Sequence, residues 1–204
     1  MKSISFDFWG TLMVSNPEFK KAQTKLVQEF TSLSESRWFE SKELAKKRLD
    51  QLVEKTGIHP PRNNTYMAIL QNLSLKERES FIKYSDELFL KHPPILREPE
   101  TDIVSILREN DYRVYISSNT VLIYGNVLSK VIFDNFGIIA KNCNFSDEVG
   151  VSKPRKEMFN FEIKPSFHIG DNIITDGASN LFGIEHYHIN KQQNFKTFLG
   201  YAKI

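Results

Sequence analysis

The amino-acid sequence predicts an α/β protein, a doubly wound parallel sheet with a helical cap inserted after its first strand. Three observations carry this. A short β-prone run, Ile4 to Phe8, opens the chain and holds one acid, Asp7. The stretch from Ser15 to Ile95 then shows helical spacing and no convincing strand. Beyond Pro99, strand-like and helix-like runs alternate, which is the pattern of parallel strands joined by crossover helices. The expected division is a core from residues 1–14 and 96–204, with residues 15–95 forming the cap.

Each element has its own signal. Asn16-Pro17-Glu18 is a helix start: a side-chain cap, a proline at the first helical position and an acid in the first turn. Phe19, Ala22, Leu26 and Phe30 follow at spacings of three and four. A second helix is expected from Glu35 to Lys55, through Trp38, Leu44, Leu49, Leu52 and Val53, stopping at Gly57. His59-Pro60-Pro61-Arg62-Asn63-Asn64 reads as a loop. Helical patterns resume at Tyr66 to Leu73 and at Ser74 to Lys91, and Pro93-Pro94 ends them. In the second half the sequence predicts a helix at Thr101 to Glu109, a strand at Arg113 to Ser117 and a helix through Leu122 to Leu128. A strand near Ile138 to Ala140, a helix from Pro154 to Phe161 and a strand at Ser166 to Ile169 come next. The last elements are a helix at Thr175 to Leu181, a strand at His186 to Ile189 and a helix at Phe195 to Tyr201.

Composition narrows the function classes. With 204 residues, 40% of them hydrophobic and 25% charged, the chain can bury a core and is not of disordered composition. A net charge of +2, with Lys-rich stretches such as Lys42 to Arg48 alternating with Glu and Asp, reads as solvated helix faces and gives no basic face for nucleic acid. The lone Cys143 excludes an internal disulfide and a thiolate metal cage, and is expected to be a buried small residue. No apolar run is long enough for a signal peptide or a membrane span, so the expectation is a soluble cytoplasmic protein without a membrane partner. Oligomeric state is not legible.

In open parallel sheets, ligands bind beyond the C-terminal strand ends. Asp7 ends the first strand, Ser118-Asn119 ends another, and Gly170-Asp171 ends a third, with Asp176 five residues on. Lys153 precedes Pro154. Singly, each has a plain structural use: a turn cap, an N-cap, an exposed lysine, a first-turn acid. Together they suit one chemistry. A carboxylate can attack as a nucleophile, clustered carboxylates call for a hard cation such as Mg²⁺, and lysine and hydroxyl groups hold a transferring phosphoryl group.

Asp7-Phe8-Trp9-Gly10-Thr11-Leu12 resembles the first motif of the haloacid dehalogenase-like (HAD) hydrolases, Asp-x-Asp-Gly-Thr-Leu. Val114 to Asn119 resembles the second, Ser146 to Pro154 the third with Lys153 as its lysine, and Gly170-Asp171-x₄-Asp176 the fourth. All four stand in order over nearly the whole chain, and the helical insertion lies where one class of these enzymes carries its cap. The resemblance implies a Rossmannoid core, Asp7 as nucleophile and metal ligand, and Mg²⁺ held by Asp7, the Trp9 backbone carbonyl and Asp171, with Asp176 in support. It places the substrate phosphate on Thr11, Ser118, Asn119 and Lys153, and makes the partner a small phosphorylated metabolite.

Trp9 departs from the motif. The family's phosphatases carry there an Asp that protonates the leaving group, and an indole has no usable proton-transfer pKa. Such a loss costs about 10²–10⁴-fold. A dehalogenase, whose halide needs no proton, is therefore a second reading. A binding protein that has lost turnover is a third. Retention of both Asp171 and Asp176 favours the metal-dependent reading, because a metal-free site would suffer their repulsion of Asp7. His59, His92 and Glu35 are possible proton sources in the cap. Arg37, Trp38, Arg62 and Tyr66 are candidate substrate contacts, with Trp38 equally suited to a cap core.

Overall fold

The computed structural model describes residues 2–70 and 73–204. In chain order it holds β1 (Lys2–Phe6), β2 (Met13–Val14), α1 (Pro17–Phe30), α2 (Glu35–Thr56), α3 (Arg62–Ile69), α4 (Leu75–Lys91) and β3 (Ile95–Leu96). There follow α5 (Ile103–Glu109), β4 (Tyr112–Ser118), α6 (Gly125–Phe136), β5 (Cys143–Phe145), α7 (Ser146–Val149), β6 (Phe167–Gly170), β7 (Glu185–His188) and α8 (Phe195–Ala202). Five strands form one parallel sheet in the order β5-β4-β1-β6-β7. The central strand β1 is covered on both faces: Ile4 and Phe6 enter the main hydrophobic cluster, while Ser3 and Ser5 are equally buried opposite. Burial on both faces is the condition of a parallel strand flanked by helices, and it places Asp7 at the middle of the sheet's C-terminal rim.

A two-stranded antiparallel ribbon, β2 with β3, brackets the insertion of α1 to α4. These helices build a second hydrophobic cluster around Val27, Trp38, Tyr66 and Phe81. Their caps match the sequence signals. Asn16 accepts from Glu18 N at 2.9 Å, Gly57 ends α2 at φ +66°, and Ser74 with Glu77 forms a reciprocal capping box. Trp38, Ala45 and Val53 face inward on α2, whereas Leu44 and Leu52 are exposed, so the apolar stripe lies on a different line from the expected one. Helix α3 begins at Arg62, within the expected loop. The helical stretch expected to reach Leu73 crosses residues 71 and 72, which lie outside the described residues.

Four segments of the second half differ from expectation. Helix α6 starts at Gly125 and runs to Phe136, because the Asp147 carboxylate caps Gly125 N at 3.1 Å from a distant loop. The strand expected near Ile138 lies at Cys143–Phe145, since Gly137 turns the chain at φ +59° and pairing with β4 begins at Cys143. Residues Lys156–Phe159 form a 3₁₀ turn in place of a longer helix. There Ser117 Oγ donates to Met158 O at 2.8 Å, and Asn144 Nδ2 donates to Asn160 O at 3.0 Å, so sheet side chains take carbonyls that a helix would use. Residues Gly177–Phe182 are likewise 3₁₀, closing at Gly183 with φ +68°. Cys143 is buried, as expected. No described helix is long and apolar enough to cross a membrane.

The end of α2 and the turn after it rest on the core rim. Ser152 N donates to Gly57 O at 2.9 Å, and Arg155 Nε to Thr56 O at 3.1 Å. Ile58 and Val151 form an isolated antiparallel bridge. Asn172 Nδ2 donates to Glu54 Oε1 at 3.4 Å.

Candidate active site

Asp7 follows β1 directly and is 7% exposed. Its N–H donates to Ile169 O at 2.8 Å, which ties the residue to β6 before its side chain emerges. Lys153 Nζ donates to Asp7 Oδ1 at 2.6 Å and also to Asp176 Oδ1. Lys153 is 2% exposed, so one buried ammonium is shared between two carboxylates. The Lys153 peptide is itself held: its N–H donates to Asn119 Oδ1 at 2.8 Å, and Asn119 Nδ2 reaches Lys153 O at 3.4 Å.

Asp176 is fixed from two more sides. Asn172 N donates to Asp176 Oδ2 at 3.0 Å, and His168 Nε2 lies 3.1 Å from Asp176 Oδ1. Ser5 Oγ sits 2.9 Å from His168 Nδ1. A neutral imidazole has one N–H, and the carboxylate can only accept, so Nε2 carries the proton and Ser5 donates to Nδ1. The first-motif loop packs against the fourth motif through Gly10. A Cβ there would run into the Asp171 carboxylate, and φ is +74°. Only glycine meets both conditions. Carboxylate oxygens of Asp7, Asp171 and Asp176 then lie within 4.8 Å of one another.

The electrostatics follow from burial. Desolvation pushes the Asp7 carboxyl up to about 7; Lys153 opposes this, while Asp176 and Asp171 add to it. Burial also acts to raise Asp176, but Lys153 and the His168 hydrogen bond hold it well below the usual carboxylate range. Burial would lower the Lys153 ammonium, yet Asp176 and Asp7 keep it at about 12. Burial lowers His168 to about 4, against the pull of Asp176, and leaves it neutral near pH 7. The rim thus presents a nucleophile candidate beside a fixed positive charge, and an oxygen cluster suited to a hard cation.

Thr11 and Ser118 are fully buried, and each has a hydroxyl without a hydrogen-bond partner among the described residues. Trp9 is half-buried and turns into an aromatic run. Its ring meets Phe8 edge-on at 5.0 Å and Phe89 of α4 at 6.0 Å, and Phe89 meets Phe19 at 5.4 Å. The indole is a joint between core and cap. Of the cap candidates, Trp38 and Tyr66 are buried in the cap's own cluster. Arg62 is paired bidentately with Asp86 and lies over the Tyr124 ring at 4.9 Å. Glu35 and Arg37 are exposed at the start of α2, and His92 caps α4. His59 reaches the core rim. Sequence reasoning missed His168, Asn172 and Glu54; a histidine inside an otherwise apolar strand was the one available signal, and it did not point to a partner eight residues on.

This fold and this rim define a class. The chain belongs to the haloacid dehalogenase-like hydrolases, whose family model matches residues 1–174. Among solved structures, the HAD-hydrolase YfnB of Bacillus subtilis, determined bound to magnesium, is similar at 16% identity and TM-score 0.71, covering 100% of this chain and 99% of that one. A HAD phosphatase of Thermococcus onnurineus is similar at 15% identity and TM-score 0.59, over 99% and 98% of the two chains. A 2-haloacid dehalogenase of Pseudomonas syringae pv. Tomato is similar at 16% identity and TM-score 0.58, over 94% and 87%. No curated protein matches the chain. The family makes the chain a hydrolase of this type, and the likenesses to solved structures show its fold.

Proposed function

We propose that this hydrolase is an Mg²⁺-dependent phosphohydrolase, acting on a small phosphorylated metabolite through an aspartyl-phosphate at Asp7. The observation that carries the reading is the carboxylate cluster of Asp7, Asp171 and Asp176 within 4.8 Å. Lys153 supplies one positive charge among these three carboxylates, which leaves them an excess of negative charge, and an all-oxygen set suits Mg²⁺. The magnesium of YfnB supports the same choice. Asp7, the Trp9 carbonyl and Asp171 would hold the ion, with Asp176 in support, and its charge would keep Asp7 ionised and offset phosphoryl charge. The chain's own groups divide the remaining work. Asp7 attacks phosphorus, Lys153 neutralises both partners, and the unpartnered Thr11 and Ser118 hydroxyls donate to phosphoryl oxygens. Asn119 acts by pinning the Lys153 peptide. A cytoplasmic site of action belongs to the same proposal.

Trp9 favours the dehalogenase reading, since halide leaves without a proton, but that chemistry gives no use to Asp171 and Asp176. A screen of phosphate esters, with Mg²⁺ and with chelator, tests the proposal. Turnover should require Mg²⁺ and vanish in Asp7→Asn. Halide release from 2-haloacids that persists in chelator would overturn it.

A further inference from the structure

We infer that the substrate is an aryl or acyl phosphate, whose planar leaving group lies against the Trp9 ring and departs as an anion. This substrate class belongs to the phosphohydrolase reading above and rests on it.

A basic leaving group needs an acid within hydrogen-bond reach of its bridging oxygen. The groups around Asp7 are otherwise engaged. Lys153 gives its ammonium to Asp7 Oδ1 and Asp176 Oδ1, so its protons serve the nucleophile. His168 is fully buried, with Nε2 on Asp176 and Nδ1 on Ser5. Asp171 and Asp176 complete the carboxylate cluster. Glu54 and His59 of the insertion are hydrogen-bonded to the rim, but at its edges. Glu54 Oε1 accepts from Asn172 Nδ2 at 3.4 Å, on the fourth-motif side. His59 Nδ1 lies 2.9 Å from Ser146 Oγ, just past β5, and β5 is two strands from β1. Two strand spacings are about 10 Å, well beyond the roughly 3 Å of a proton transfer. Among the described residues, no acid stands free beside the nucleophile.

An aromatic wall stands there instead. Trp9 follows Asp7 by two residues, which holds their Cα atoms within about 7.6 Å of each other. The next residue, Gly10, packs against the Asp171 carboxylate, so this loop borders the carboxylate cluster. The indole is half-buried. Phe8 and Phe89 meet it edge-on and Phe19 backs Phe89, so three rings hold its orientation. No hydrogen bond from its Nε1 occurs among the described residues. Part of an apolar ring and one N–H donor therefore stay open close to the nucleophile. A flat π-system packs well on such a surface, whereas a polyol finds few partners. One helical turn before Phe89, Asp86 takes the Arg62 guanidinium in a bidentate pair, so that cation is not offered to a second phosphate. The wall thus suits a phenolate or carboxylate better than the departing phosphate of an anhydride.

The chemistry balances without an acid. An Asp7 carboxylate oxygen bonds to phosphorus as the P–O bond to the leaving group breaks, and the bonding pair stays on the departing oxygen. That oxygen leaves as a phenolate or carboxylate, whose charge its π-system spreads. Water then attacks phosphorus, the P–O bond to Asp7 breaks, and Asp7 regains its carboxylate. Both water protons leave on the phosphate.

The test is a leaving-group series on the wild-type full chain with Mg²⁺: acetyl phosphate, p-nitrophenyl phosphate, phenyl phosphate and alkyl phosphates. kcat/KM should fall steeply as the leaving group becomes more basic. Alkyl phosphates should lie at least about 10²-fold below p-nitrophenyl phosphate, the least that an acid would recover. A smaller gap would overturn the inference. Placement on the ring is read by calorimetry with Mg²⁺, where phenylphosphonate should bind at least about threefold more tightly than cyclohexylphosphonate. Trp9→Leu should erase that preference and Trp9→Phe keep it. Equal binding by wild type, or a preference that survives in Trp9→Leu, would refute the placement. Failure of every ester, acetyl phosphate included, would instead overturn the phosphohydrolase reading.

Discussion

Replacing Trp9 by leucine, alone and together with Phe89→Leu, measures how firmly the cap is joined to the core. The Trp9 ring makes two edge-on contacts, with Phe8 at 5.0 Å and Phe89 at 6.0 Å. Both fall in the range where an aromatic pair contributes about 0.5–1.5 kcal/mol beyond its area. The two contacts together account for about 1–3 kcal/mol, and the partial burial of the indole adds about 1 kcal/mol when a smaller side chain leaves part of that space empty. Trp9→Leu should therefore destabilise the protein by about 2–4 kcal/mol, against about 1–3 kcal/mol for an ordinary core change. For a chain of this length each kcal/mol lowers the melting temperature by about 2–4 °C. Denaturant unfolding of the two single variants and the double variant gives the Trp9–Phe89 coupling directly, expected at about 1 kcal/mol. A coupling indistinguishable from zero would show that Trp9 does not join the two parts, and the loss would then belong to the core alone.

Three further outcomes follow from the same geometry. Gly10→Ala places a methyl group against Asp171 at a left-handed backbone position; Mg²⁺ binding by calorimetry should weaken about tenfold or more, consistent with disturbed support of a metal site, and unchanged affinity would remove Asp171 from the cation's neighbourhood. His168 is lowered to about 4 in the fold, chiefly by burial. The unfolded chain then binds more protons below the ordinary histidine pKa, so its stabilising contribution is complete above about 6.5 and is lost as pH falls toward 4. The stability gap between wild type and His168→Leu should narrow over that window, and a constant gap in urea titrations would count against the buried neutral ring. Asp7 is raised to about 7, first by burial and then by its acidic neighbours, so ionising it costs native stability in chelator as pH rises from about 4 to 7. Asp7→Asn should accordingly gain thermal stability relative to wild type across that range, and Mg²⁺ should reverse the order; a variant that melts lower at pH 8 in chelator would contradict this.

The parts of the fold legible in the sequence were those decided locally. Asn16-Pro17, Gly57 and Ser74 set helix ends by side-chain and backbone chemistry within a few residues, and the structure uses them so. The failures share a different cause. The start of α6 depends on Asp147, and the chain at 156–160 is held by Ser117 and Asn144 from the sheet. Partners that far away leave no periodic trace. The same split runs through the site. Asp7, Lys153, Asp171 and Asp176 could be named because strand ends and motif spacing mark them. The roles of Asn119 and His168 exist only as contacts across the rim, with Lys153 and Asp176.

The turn after α2 is paired by its main chain to Val151 and Ser152, immediately before Lys153. Main-chain pairing is indifferent to side-chain identity but strict about path. The helices of the insertion could therefore diverge widely in sequence while residues 56–58 keep their course along the rim. The insertion is not a detachable module. A cap grafted from a relative without a matching edge segment would lose the main-chain pairing that lies just before Lys153.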